Sequence, residues 1–172
     1  YTETVDQVKW LRGATKLRPL KGGRLEEILA GQTDSEVMEK YLNNFNRNHL
    51  LILNIESTPA VESLDEILEV PGIDAVQIGP HDLSCSLGVP EKYEEKLYLK
   101  TIENIFQKAR AKSIGAGIHA WGDYSYQKRL LSMGANMLIH KSDAMLVQQS
   151  LKTDFAVLKG DNKSNESDLE TV

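Results

Sequence analysis

Two carboxylates stand where short apolar segments give way to polar ones. Glu56 follows the run LLILNI at residues 50–55, and Asp82 follows IDAVQI at 73–78 and then Gly79-Pro80-His81. An ionised group behind so much apolar sequence is costly to bury unless it is paired or bound to a cation. Asn54 and Glu56 are two apart, so on a strand they share a face. Two carboxylates completed by waters suit Mg²⁺ or Mn²⁺, which prefer oxygen ligands and keep positions open for substrate. Gly79 lets a ligand approach the backbone closely. Blander roles stand beside these: Glu56 as a solvated loop charge, and Asp82 as the cap of the following turn.

Other residues offer less. His119 could be an acid, a base or a metal ligand, or a hydrogen-bonded rim residue, and His140 and Lys141 carry the same alternatives. His49 precedes a strand, and His81 lines a loop. Trp121 could line a pocket mouth or simply pack. Cys85 lacks an evident base partner and reads as a small buried residue. No phosphate-cradling loop, zinc-spaced Cys/His cluster or serine-nucleophile elbow occurs in the chain.

These residues need elements to hold them. Residues 50–55, 73–78, 115–119 and 135–139 are short, branched and apolar, as buried strands are. Helical spacing links Val5, Val8 and Leu11, then Val37 to Phe45 behind Asp34 or Ser35, then Leu64 to Leu68. It returns from Tyr98 to Ala109, from Gln127 to Met133 before Gly134, and from Ala144 to Leu158 behind Ser142 or Asp143. The predicted order is two helices and then four strand–helix units, an α/β chain with a parallel sheet. Unbroken apolar strands fit a sheet covered on both faces or closed into a barrel. Function in such folds gathers at the C-terminal strand ends, where Glu56, Gly79, Asp82 and His119 fall. Residues 18–24 (RPLKGGR) read as a solvated turn, with anion binding by its basic residues as the alternative. Residues 1–159 read as one domain part and 160–172 as a mobile polar tail.

Composition sets the limits. The 172 residues are 41% hydrophobic and 26% charged, with a formal charge of −5. That balance belongs to a globular chain rather than a disordered one. The mild acidity excludes a general nucleic-acid binder, which needs a basic face. The longest apolar run is too short to span a bilayer, so no membrane partner is expected. A single cysteine and no secretion signal fit a reducing, cytoplasmic compartment. A first residue of Tyr rather than Met points to a trimmed or fragmentary chain.

Asn54-Ile55-Glu56-Ser57, followed by the run from Val70-Pro71-Gly72-Ile73-Asp74 to Gly79-Pro80-His81-Asp82-Leu83-Ser84, resembles the HpcH/HpaI aldolase/citrate lyase family. The pattern there is close to Q-I-E-T and then V-x-G-[IV]-D-x-[VI]-x-[IV]-G-x-x-D-L-S. Leu87-Gly88 continues it, residues 115–118 and 134–143 match the last two strands, and residues 19–24 resemble a P-x-G-x-R segment less closely. The resemblance covers residues 1 to about 159. It implies a (β/α)₈ TIM-barrel fold, of which the last four strand–helix units are present. It implies a metal-dependent lyase, an aldolase cleaving a 4-hydroxy-2-oxo acid to pyruvate and an aldehyde through a metal-stabilised enolate. Glu56 and Asp82 would hold the metal (Mg²⁺, Mn²⁺ or Co²⁺). Asn54, Gly79 and Pro80 would meet the 2-oxo acid, and a homo-oligomer is expected. Asn54 stands where many members have Gln, and its reach is shorter by one methylene.

The family's general-base histidine and its oxo-acid-binding arginine would lie on strands upstream of this chain, so no catalytic residue is assigned within it. A missing base costs about 10²- to 10⁴-fold, and half a barrel with open edges is expected to self-associate. Two alternatives follow. One is a non-catalytic half-barrel remnant that binds a partner. The other is an acyl-CoA ester lyase of the citrate lyase type, for which no basic cluster suited to CoA is evident.

Overall fold

In a computed structural model, which describes residues 1–160, the four apolar segments become neighbouring strands. β1 (Ile52–Ile55), β2 (Ala75–Ile78), β3 (Gly115–Ala120) and β4 (Met137–His140) lie in chain order in one sheet. β1 and β2 run parallel, as do β2 and β3, with Asn54 opposite Gln77 and Gln77 opposite Gly117. The tail expected from residue 160 falls outside the described residues from 161 onward.

Three helices precede the sheet: α1 (Val5–Lys16), α2 (Gly22–Leu29) and α3 (Glu36–Phe45). Two helices were expected there. The reading of residues 18–24 as a turn is corrected, because α2 begins at Gly22. Two glycines disfavour a helix, but Ile28 is buried in a small cluster with Leu17 and Leu42, and Leu25 and Leu29 pack on it. Such tertiary packing, rather than propensity, is what stabilises most helices. Arg24 is engaged by Glu27 at 2.9 Å and Asp34 at 2.6 Å, so its charge is answered inside the chain.

Short helices α4 (Thr58–Glu62) and α5 (Leu64–Ile67) connect β1 to β2. α6 (Pro80–Ser86) and α7 (Lys96–Ala111) connect β2 to β3, and α8 (Tyr124–Ser132) connects β3 to β4. Alternation along each strand splits the sheet into two faces. Leu53, Ile55, Val76, Ile78, Ala116 and Ile118 form one, buried in a core with Leu64, Ile67, Ile102, Ile105 and Phe106. The other face carries Ile52, Asn54, Gln77 and Gly117, and Ile52 is 44% exposed. Of the two expected arrangements, cover on both faces or closure into a barrel, the first is not met at Ile52 among the described residues. A continuous apolar run shows that a strand is buried on one side and says little about what meets the other.

The chain divides into two units, residues 1–139 and 140–172. The second is described through residue 160 and consists chiefly of α9 (Asp143–Leu158). Ser142 caps this helix by accepting the Met145 N–H at 3.3 Å. Its apolar Val147, Leu151, Phe155 and Leu158 are exposed.

The turn after β1 is fastened by Ser57. Its hydroxyl donates to Glu3 at 2.7 Å and accepts the Ala60 N–H at 3.4 Å, capping α4. Ser57→Ala is expected to cost about 1 kcal/mol, the usual value of a lost cap. Urea unfolding should show a lower midpoint at unchanged slope.

Candidate metal centre

The register that sets Ile55 beside Ile78 and Ile78 beside Ile118 brings the next residues, Glu56, Gly79 and His119, to one row. All three lie on the face that holds Asn54, Gln77 and Gly117, two positions further along. Two of these residues touch directly. A Cβ built on Gly79 would sit 3.0 Å from the Glu56 Cβ and 3.3 Å from its Cδ, and closer still to Oε2. The Glu56 carboxylate therefore lies across Gly79, in space that only a glycine leaves open. Asn54 Nδ2 donates to Glu56 Oε2, which fixes the carboxylate from below. Oε1 makes no hydrogen bond among the described residues.

Burial pushes the Glu56 carboxyl above its ordinary value, and the charge of nearby Asp82 pushes it further, against the Asn54 hydrogen bond. Asp82 sits in the first turn of α6, with Gly79 as N-cap and Pro80 at the first helical position, where its missing N–H costs nothing. Asp82 is exposed, and its carboxylate makes no hydrogen bond or ion pair among the described residues. The capping role weighed for it is thus not seen. Asn54, Glu56, Gly79, Pro80 and Asp82 converge on the ends of β1 and β2.

The pair fits a hard divalent cation. Two carboxylates are held near each other at a energetic cost that a cation would remove, and Oε1 of Glu56 and the Asp82 carboxylate remain available. Among the described residues, no group of three or more His, Cys, Asp or Glu side chains gathers as a metal site. The remaining positions would fall to water and substrate oxygens, as is usual for Mg²⁺.

The other singled-out residues go elsewhere. His49 lies before β1, with Nδ1 3.3 Å from Asn46 Oδ1. His81 belongs to α6 rather than to a loop, with Nδ1 3.4 Å from Glu91. Cys85 is exposed, not buried, because Leu83 and Ser84 occupy the inward side of α6. Its Sγ lies 3.9 Å from His81 Nε2, a neighbour one helical turn away that the sequence reading missed. His119 stacks on Trp121 with ring centroids 3.9 Å apart. His140 ends β4, and Lys141 donates to Gln149 at 2.8 Å. Gln77 was passed over as part of an apolar strand. Its Oε1 is buried without a partner among the described residues, in space that Gly117 leaves free. The signal for it was a lone polar residue inside AVQI.

A raised carboxyl pKa has a definite sign in stability. The folded state then binds its proton more tightly than the unfolded state, so this group destabilises the metal-free fold as pH rises through and above the ordinary range. Glu56→Gln is expected to raise the thermal midpoint of the metal-free protein at pH 7, and the gain should vanish in acid, where both forms are neutral. Melting curves in chelator at pH 4 and pH 7 check this.

Comparisons with known proteins bear on the same residues. The model of a family described as HpcH/HpaI aldolase/citrate lyase matches residues 1–149. A 2-keto-3-deoxy-L-rhamnonate aldolase of Klebsiella pneumoniae is 34% identical over 160 residues, covering 93% of this chain and 60% of that protein. A protein of the same name from Salmonella paratyphi B is 33% identical over 157 residues, covering 91% and 58%. Among solved structures, an HpcH/HpaI aldolase from Desulfitobacterium hafniense matches with a TM-score of 0.72 at 24% identity, over 92% of this chain and 61% of that one. A family protein from Burkholderia cenocepacia gives 0.72 at 19% identity, over 92% and 63%. The structural likeness speaks for the fold alone. The chain spans about three fifths of the length of the relatives it matches.

Proposed function

The chain belongs to the HpcH/HpaI aldolase/citrate lyase family, and on that footing we propose that it carries the metal-binding rim of a class II pyruvate aldolase. The complete protein would cleave a 4-hydroxy-2-oxo acid to pyruvate and an aldehyde. The present strands would be the last four of a (β/α)₈ barrel, in a cytoplasmic homo-oligomer. The observation that carries this reading is the Glu56 carboxylate, held by Asn54 across Gly79 and beside Asp82.

Each residue then has a task. Glu56 and Asp82 hold a divalent cation, Mg²⁺ or Mn²⁺, with Co²⁺ as a substitute. When bound, that cation supplies positive charge where the enolate charge develops. Asn54 keeps the Glu56 carboxylate turned toward the site. Gly79 leaves room for that carboxylate, and for the carboxylate of a 2-oxo acid to reach the backbone. Pro80 has no N–H, so it shapes the turn and donates nothing. The donors are the N–H of Gly79 and those of the first turn of α6, which have no partner inside the helix. Removal of the C4 hydroxyl proton, which starts the break of the C3–C4 bond, is assigned to no residue of this chain.

Calorimetric titration tests the reading. Mg²⁺ or Mn²⁺ is added with and without oxalate, a mimic of the pyruvate enolate. Oxalate binding that requires metal is the expected result. Absence of metal-dependent binding to the folded complete protein would overturn the assignment.

A further inference from the structure

The two carboxylates of the rim are held by different means. Glu56 is fixed by Asn54 and by its seat across Gly79. Asp82 makes no hydrogen bond or ion pair among the described residues, so its place depends on where α6 lies. α6 has seven residues, too few to stand as a helix without tertiary support. Leu83 and Ser84 turn inward and are fully buried. The Ser84 hydroxyl donates to the His81 carbonyl at 2.7 Å and accepts the Glu91 N–H at 3.0 Å, which pins the helix to the segment that follows it. Neither hydrogen bond reaches the β1 side of the rim.

One set of contacts does reach it. Ser86, the last residue of α6, meets Thr58, which lies two residues beyond Glu56 and begins α4. The Ser86 hydroxyl oxygen accepts the Thr58 N–H at 2.8 Å, and the Ser86 carbonyl accepts the Thr58 hydroxyl at 3.1 Å. The two hydroxyl oxygens lie 3.1 Å apart. A hydroxyl has one proton to give. Thr58 gives its proton to the carbonyl, so the Ser86 hydroxyl donates to Thr58 Oγ1, and the three hydrogen bonds form one closed set. The Thr58 N–H is a first-turn donor of α4 with no partner inside that helix. The N-cap Ser57 serves Ala60 instead, so Ser86 answers Thr58 from another helix. Asp82 and Ser86 are four apart on α6, and residues at that spacing share a helix face. The tie therefore acts on the face of α6 that carries Asp82.

We propose that Thr58 and Ser86 are positioning residues for the metal: their tie sets the span between the Glu56 and Asp82 carboxylates, and that span favours Mg²⁺ over Ca²⁺. The inference rests on the metal reading of the rim. Mg²⁺ demands near-octahedral oxygens at about 2.0–2.1 Å, whereas Ca²⁺ accepts about 2.3–2.6 Å and irregular geometry. Two carboxylates held at one separation suit the first ion. Two carboxylates free to drift lose that ion and keep the second. Glu56 already sits at a fixed strand end, so the freedom that matters is that of Asp82.

Calorimetric titration of the complete protein and its variants with Mg²⁺ and with Ca²⁺ is the test. Ser86→Ala removes both contacts of the Ser86 hydroxyl and is expected to weaken Mg²⁺ binding about 10-fold, the low end for losing a group that orients a metal ligand. Ca²⁺ binding should change far less, and the thermal midpoint in chelator should hardly move. Ser86→Thr keeps the hydroxyl and should restore the Mg²⁺ preference. Thr58→Val keeps the N–H and removes the hydroxyl, so an intermediate loss is expected. With Asp82→Ala in place, adding Ser86→Ala should weaken Mg²⁺ binding no further, because the tie acts through Asp82. Equal losses of Mg²⁺ and Ca²⁺ in Ser86→Ala, or a lowered midpoint with the ratio of the two affinities unchanged, would overturn the proposal and leave the tie a fastening of the fold. If Glu56→Ala abolishes Mg²⁺ binding while Ser86→Ala keeps the ratio, the tie's role alone is sunk and the metal reading stands. No Mg²⁺ binding by the folded, unaltered protein, or binding that survives Glu56→Ala intact, sinks the metal reading and the tie's role with it.

Discussion

Replacing Glu56 or Asp82 with alanine in the complete protein is expected to abolish metal-dependent turnover, a loss of about 10²- to 10³-fold or more, the scale set by removing one electrostatic stabiliser of developing charge. Both side chains would serve one cation, so their effects should not add. The double variant is expected to be no worse than the more damaging single one, as for residues that act as a unit. The structure also separates the two substitutions. Glu56 is half-buried and raised in pKa by burial and by Asp82, so its removal relieves the metal-free fold. Asp82 is exposed in the first turn of α6, so its removal should barely change stability. Steady-state kinetics with saturating Mg²⁺, alongside melting curves in chelator, give both readouts. Full turnover in either single variant would sink the metal assignment.

Gly79→Ala is the second large effect. The backbone there has φ −84° and ψ 98°, which alanine adopts without strain. Any consequence must therefore come from the added methyl meeting the Glu56 side chain. The carboxylate is the free end of a flexible chain and would swing aside, while the Glu56 Cβ, 3.0 Å from the methyl, would have to give only slightly, so the fold should survive. The metal would then lose a correctly placed oxygen, and a displacement on the 1 Å scale costs about 10²-fold. Expected together are a near-normal thermal midpoint, weakened Mg²⁺ binding by calorimetry, and a fall of about 10²-fold in turnover. Unchanged metal affinity would show that the Glu56 position seen here is not the one that binds.

Much of this was legible in the chain. The four strands fall within the four short apolar runs or at their edges, because burial on one face demands branched apolar residues at a period of two. Ser35, Ser57, Asp123 and Ser142 cap helices, since a short polar side chain before a helix satisfies an otherwise open N–H. Ser35 and Ser142 were named as cap candidates from sequence. α2 was missed, because its helical state depends on packing against Leu17 and Leu42, which lie outside its own sequence. Cys85 was misplaced for a related reason. A small apolar residue in a short helix can face either way, and Leu83 and Ser84 took the inward side.

By itself the sequence determined the α/β class, the strand positions and the family, because these follow from local periodicity and from a motif of fixed spacing. It also singled out Glu56, Gly79 and Asp82, since polar residues and a glycine after apolar strands are chemically conspicuous. Only the tertiary structure decided that Asn54 holds Glu56 across Gly79, that the Gln77 amide oxygen is buried beside Gly117, and that Trp121 borders a cavity instead of filling a core. Those facts depend on strand register and on distances between segments 20 to 60 residues apart. No local pattern encodes them, because a shift of one residue in register would send every one of these side chains to the opposite face.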